Sequence, residues 1–326
     1  MIRPFSLRDV ALLRRLRGQG TLLQAEAALT QSCQPLRGAL FSMVGGDATT
    51  YVWRAEDGNA AGFAQLRLSD DQARAHLVCL GVTPVEHEDS NGSDAGTPLN
   101  EDAWLSILDN VVTALGQRGV HSVVAEVDES GPELPLLRRA GFAVYTRQDI
   151  WALVEERDQK VPLILEPRQT SDEWDVEWLY ANTVPPLIQL VEPSPPEGGN
   201  TRVLREEGEL TAFIHIHTGP AASWLQIFIH PNAYAQANEI VAAAVSACAP
   251  HPAFPVYCCV RRYQSWLKVA LEQSGFRPCQ SQAVMVKHIA SPIRNKISAL
   301  DKLLYAQGAR PTTLLQRYHA ADDGTG

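Results

Sequence analysis

Hydrophobic and polar positions along the chain follow one plan, written twice. Tyr51 to Leu68, "YVWRAEDGNAAGFAQLRL", places aromatic and branched residues on both sides of Asp57-Gly58, which predicts two strands around a turn. Arg202 to His217, "RVLREEGELTAFIHIH", has the same form around Glu207-Gly208. Near-continuous apolar runs follow, "AHLVCLGVTP" and "SWLQIFIHPN", ended by Pro84 and Pro231, and read as central strands buried on both faces. Helical spacing comes next, with Trp104, Leu108, Val111 and Leu115 in the first copy and Ile240, Ala244 and Ala247 in the second. "HSVVAEV" and "PVYCCV" then predict two more buried strands. Each copy closes with a helix, a glycine and a final strand. Gly141 and Gly275 suit the left-handed position after a helix, with Phe142 and Phe276 turning into the core.

The first copy begins at "IRPFSLRDVALLRRL" and the second near "PLILEPRQTSDEWDVEWL", where Ser171 or Asp172 is placed to cap a helix. The polar connection "VEERDQKVP" puts the boundary near residue 158. The expectation is an α/β protein with mixed sheets, divided into domains 1–157 and 158–290. Beyond them, Ile293, Ile297, Leu300 and Leu304 form one stripe in a helical extension, 291–326, suited to docking on a domain or pairing two chains into a homodimer.

Composition narrows the function classes. At 326 residues, with 45% hydrophobic and 20% charged, the chain has length for two globular cores. Acidic residues outnumber basic ones by 37 to 28, for a net charge of -9, which disfavours a nucleic-acid partner. The first residues lack the apolar core of a signal peptide, and no apolar run has the length of a membrane span, so a cytoplasmic protein is expected. The six cysteines show no C-x-x-C pair, and Cys258 and Cys259 would point to opposite faces of a strand. His215 and His217 share a strand face but have no evident third ligand, so no metal site is expected.

The element order, with the closing signatures "LLRRAGF" and "LEQSGF", resembles the GNAT superfamily of N-acetyltransferases, twice over, across nearly residues 1 to 290. The resemblance implies two tandem acyl-CoA N-acyltransferase domains, acetyl-CoA as cosubstrate and an amine, on a small molecule or a peptide, as acceptor. In that family the backbone of the central strand pairs with the pantetheine arm. A glycine-rich turn then offers backbone N–H groups to the pyrophosphate at a helix N-terminus. In the first copy that turn is replaced by an acidic insertion, 85–102, carrying Glu86, Glu88, Asp89, Asp94, Glu101 and Asp102, which would repel a pyrophosphate. In the second copy, "HPNAYAQANEIV", Tyr234 stands where the family has a basic residue, and Ala235 and Ala237 where it has glycines. Ile227 and Ile229, with Tyr234, Ala235, Gln236 and Ala237, are therefore the expected acetyl-CoA contacts.

The family's tyrosine acid, four residues before the closing glycine, is Leu137 in one copy and Leu271 in the other. His230 at the end of the second central strand, Tyr263 before the second closing helix and Glu126 on the first copy's fifth strand are the substitutes. Two readings follow. One is an N-acetyltransferase with its site in the second half; the other is a catalytically inactive tandem that binds a ligand or a protein.

Overall fold

The computed structural model describes residues 2–16, 18–31, 39–40, 48–56, 58–83, 100–153, 163–194, 200–248 and 255–289. The bulk of the acidic insertion, the boundary at 158 and the C-terminal stripe from Ile293 to Leu304 lie outside the described residues.

The first copy runs β1 (Ile2–Pro4), α1 (Val10–Arg15), β2 (Gly20–Leu22), α2 (Ala25–Thr30), β3 (Ala48–Arg54), β4 (Ala61–Leu68), β5 (Arg74–Val82), α3 (Glu101–Gln117), β6 (Ser122–Asp128), α4 (Glu133–Arg139) and β7 (Ala143–Leu153). The second runs β8 (Glu166–Pro167), α5 (Glu173–Thr183), α6 (Pro186–Gln189), β9 (Arg202–Glu206), β10 (Glu209–Thr218), β11 (Ser223–Ile229), α7 (Ala237–Ala247), β12 (Val256–Arg261), α8 (Leu267–Gln273) and β13 (Arg277–His288). Within the two copies, each hairpin, central strand, helix and closing strand read from the sequence is present. Glu207 and Gly208 both have positive φ, 51° and 89°, as a two-residue hairpin turn requires.

The helix ends have a shared cause. Gly141 and Gly275 have φ of 85° and 90°, and the N–H groups of Phe142 and Phe276 donate back to the carbonyls of Leu137 and Leu271 at 3.0 and 2.9 Å. Both phenylalanines are buried as a result.

The strands join one mixed sheet ordered β1-β3-β4-β5-β6-β13-β7-β12-β11-β10-β9-β8, with β2 added against β5. The closing strands are exchanged. β13, from the second copy, pairs with β6 (Ala125 opposite Met285), and β7, from the first, pairs with β12 (Trp151 opposite Cys258). All described residues belong to one compact unit.

Helices α3 and α4 cover one sheet face of the first copy over Leu77, Leu80 and Val123, and α7 and α8 cover the second over Ile227, Cys258 and Val260. Cys259, on the opposite face from Cys258, packs instead with Trp224, Ile150 and Ala25 of α2, so a first-copy helix lies on second-copy strands. Val191 reciprocates by packing on Val124, Val284 and Val286. No helix among the described residues is long and apolar enough to cross a membrane.

Candidate functional site

Two gaps open in the sheet, one in each copy. In the first, β5 pairs with β6 only from Arg74 to His76, opposite Ser122 to Val124, and then parts from it. The chain itself enters the opening. Gly20, Thr21 and Leu22 of β2 pair antiparallel with Gly81, Leu80 and Cys79. Leu23 then bridges both walls: its N–H donates to Val78 O at 2.9 Å and its carbonyl accepts from Glu126 N–H at 2.8 Å. Glycine makes the approach possible, because a Cβ on Gly81 would lie 2.5 Å from Phe63 Cε1 and one on Gly20 2.7 Å from Cys79 Sγ. Backbone that an extended ligand would pair with is already paired.

Glu126 belongs to this first gap. Its Oε2 accepts the N–H of Ala25 at 2.6 Å, at the first residue of α2. Burial pushes its pKa up, against the opposing pull of Arg261 and of the Ala25 N–H.

In the second gap, β11 pairs with β12 as far as Gln226 opposite Cys259 and then leaves it. His230 N–H donates to Thr211 O on the β10 side at 2.8 Å. By strand alternation the backbone groups of Ile227 and Ile229 face the gap. Ile227 O accepts the side-chain amide of Gln264 at 2.8 Å, and Gln264 Oε1 accepts Arg261 N–H at 3.3 Å. A cavity of ≈ 40 Å³ remains here, lined by Tyr180, Glu192, Gln226, Arg261, Tyr263 and Gln264 among others. That is room for a water or two.

Charge in this region is concentrated on Arg261. Its guanidinium reaches Glu192 Oε1 at 2.6 Å and Gln148 Oε1 at 2.5 Å, and Gln148 Nε2 donates to Gln282 Oε1 at 2.7 Å. The Tyr145 hydroxyl donates to the same Glu192 oxygen, and Tyr180 donates to the Glu192 carbonyl at 3.0 Å. Burial disfavours the cation, but Glu192 and its neighbours outweigh it and hold the Arg261 pKa above its ordinary value. Burial likewise raises the pKa of Tyr263, which keeps its phenol protonated.

The turn after β11 is a 3-10 helix, Pro231–Gln236, opened by Ala233 N–H on His230 O and closed by Ala237 N–H on Tyr234 O. The N–H of Ala237 is thereby engaged within the turn. His230 Nδ1 accepts Asn232 N–H at 3.3 Å, and its ring stacks on Trp178 with centroids 6.0 Å apart. Tyr234 stacks on Trp266 at 3.9 Å, and Gln236 donates to Glu206. Ala235 lies inside the same turn.

The backbones of Ile227 and Ile229 thus face the second gap, Tyr263 lines the cavity beside it, His230 follows one residue beyond, and Glu126 lies in the other gap. Sequence reasoning did not single out Gln264, Arg261, Glu192 or the segment from Gly20 to Ala25. An arginine directly continuing the apolar run "VYCCV" was the available signal for Arg261.

No family model and no curated protein matches this sequence. Solved structures do match. A GCN5-related N-acetyltransferase from Sphaerobacter thermophilus aligns over 90% of this chain and 96% of its own, with a TM-score of 0.52 and 14% identity. A tandem GNAT protein from the clavulanic acid biosynthesis pathway aligns over 90% of this chain and 99% of its own, with a TM-score of 0.51 and 13% identity. The chain has the tandem GNAT fold. A GCN5-related glucosamine N-acetyltransferase region of a fungal multi-domain GH3 β-N-acetylglucosaminidase also aligns, with a TM-score of 0.54 and 12% identity, over 88% of this chain and 38% of that one. Of the two gaps in this fold, one is closed by the protein's own backbone and one borders a small cavity.

Proposed function

We propose that the protein is an acetyl-CoA-dependent N-acetyltransferase that works from its second half, transferring an acetyl group to an amine on a small molecule or a peptide. The observation that carries this is the direction of the Ile227 and Ile229 backbones, which face the gap between β11 and β12, while Leu23 fills the equivalent gap in the first half. The sequence domains 1–157 and 158–290 then divide the labour, the first being structural and the second reactive, with 291–326 as an extension. A cytoplasmic setting goes with this reading.

The residues present suit the pantetheine arm better than the pyrophosphate. Ile229 and the N–H of Ile227 are directed at an extended partner, and Ile227 O would be released if Gln264 swung away. The turn from Tyr234 to Ala237 offers a helix N-terminus without a basic side chain, so a charged clamp commonly worth about 1.5 to 3 kcal/mol is missing. Weak binding is the expectation. Acetyl-CoA, when bound, supplies the thioester. Tyr263, protonated at the cavity wall, is the group to return a proton to a leaving sulfur, and His230, at the solvent end of β11, the one to take the ammonium proton through water. Glu126 positions α2 in the other half.

Calorimetric titration with acetyl-CoA, followed by thiol release with a panel of amines, tests the reading. Binding in the micromolar to millimolar range with acetylated product supports it. If no heat of binding is seen at millimolar acetyl-CoA, the reading fails and the inactive tandem takes its place, for which the Gln264 contact on Ile227 O already speaks.

A further inference from the structure

Helix α5, Glu173–Thr183, turns Val176, Leu179 and Tyr180 into the core and leaves two tryptophans in solvent. Trp174 is 71% and Trp178 48% exposed, one helical turn apart. Large aromatic surface left in water on one helix face marks a place where something docks. Glu173 and Glu177 are exposed beside them at the same spacing.

We infer that this face binds a lysine-rich peptide. Two indole faces attract an ammonium group through their quadrupoles, and two neighbouring carboxylates supply the opposite charge. Arg205 of β9 is committed elsewhere: it pairs with Asp172 at 2.7 Å and Asp175 at 3.1 Å, at the start of the helix. Among the described residues, the partner that Glu177 Oε1 accepts from is a neutral one, the Ser194 hydroxyl at 2.5 Å. The net charge of -9 favours the approach of a cationic partner. An anionic membrane surface would be repelled by the same carboxylates. Trp178 also stacks on His230, which carries the docking face to the rim of the second gap, although docking does not depend on acetyl transfer.

The experiment is calorimetry on the full chain with a lysine–glycine repeat peptide, a glutamate–glycine repeat peptide and phosphatidylserine vesicles. The lysine peptide is expected to bind, and to bind less tightly as salt is added. Trp174→Ala with Trp178→Ala should weaken it about tenfold. Glu173→Gln with Glu177→Gln should weaken it and flatten the salt dependence, which decides the matter if the tryptophan pair does not fold. Equal binding of both peptides, unchanged binding by these variants, or binding to the vesicles alone would overturn the inference.

Discussion

Leu23 donates its backbone N–H to the carbonyl of Val78 at 2.9 Å, standing between two strands that have parted. Its own carbonyl accepts from Glu126 N–H, so one residue ties both walls of the first gap. The contact depends on glycines, since a Cβ on Gly81 would meet Phe63 at 2.5 Å and the Gly20 Cα at 3.3 Å. Gly81→Ala should therefore lower stability by about 1 to 3 kcal/mol, the usual cost of overpacking a closed core. Urea unfolding measures it. The same variant should leave acetyl-CoA binding in the second half unchanged, and a loss of binding there would assign the cosubstrate to the wrong gap.

How far the sequence foretold this arrangement depends on the range of each interaction. The apolar alternation around Gly58 and Gly208, the helical spacing from Trp104 to Leu115 and the closing glycines are local signals, and the elements they predict are present. The exchange of β7 and β13 is not local: "YTRQDIWALV" and "QSQAVMVKHI" both read as buried strands, and nothing in either chooses between neighbours of similar pattern. β2 has three residues, Gly20 to Leu22, too few for a strand signal, so the filling of the first gap was legible only in three dimensions. The acidic insertion carried a different expectation, that repulsion of a pyrophosphate keeps the cosubstrate out of the first copy. The 3-10 form of Pro231–Gln236 was also hidden, because its i to i+3 bonds need no particular side chain.

Gln264 sets the state of the second gap. Its amide donates to Ile227 O at 2.8 Å, where a pantetheine amide would donate, so side chain and ligand compete for one acceptor. Gln264→Ala should bind acetyl-CoA about five- to tenfold more tightly than the parent, by removing a competing hydrogen bond worth about 1 kcal/mol. The folded state should lose a similar amount, because Arg261 N–H loses its acceptor. Calorimetry and urea unfolding on the same preparation read both. Tighter binding without the stability loss would mean that another group had taken over the Arg261 N–H.

Arg261 and Glu192 form an ion pair of 2.6 Å among buried neighbours, and each side chain has further partners in Gln148 and Tyr145. Removing one charge leaves the other enclosed without compensation, which typically costs about 3 to 5 kcal/mol. Arg261→Leu alone should show a loss of that size. The double change Arg261→Leu with Glu192→Leu should recover much of it, since well-packed apolar replacements of buried pairs are often near neutral. A double-mutant cycle by thermal or urea unfolding gives the coupling, and a coupling near zero would place the pair in effectively solvent-like surroundings.

Glu126 gives the fold a pH dependence of predictable sign. Burial raises its pKa above the ordinary 4.5, so the folded chain holds a proton that the unfolded chain has released. A carboxyl shifted upward contributes stability that is fully present below the unfolded value and is lost as pH rises through the folded one. The slope over that window approaches about 1.4 kcal/mol per pH unit for one proton. Glu126→Gln keeps an oxygen for the Ala25 N–H and carries no titrating group. The stability of the parent relative to this variant should be constant below about pH 4.5, by the ordinary glutamate pKa, and fall above it until the raised value is passed. Urea unfolding of both proteins across the acid to neutral range measures the difference. A difference that rises with pH would mean that Arg261 and the Ala25 N–H outweigh burial, and that the carboxylate is the form the fold prefers.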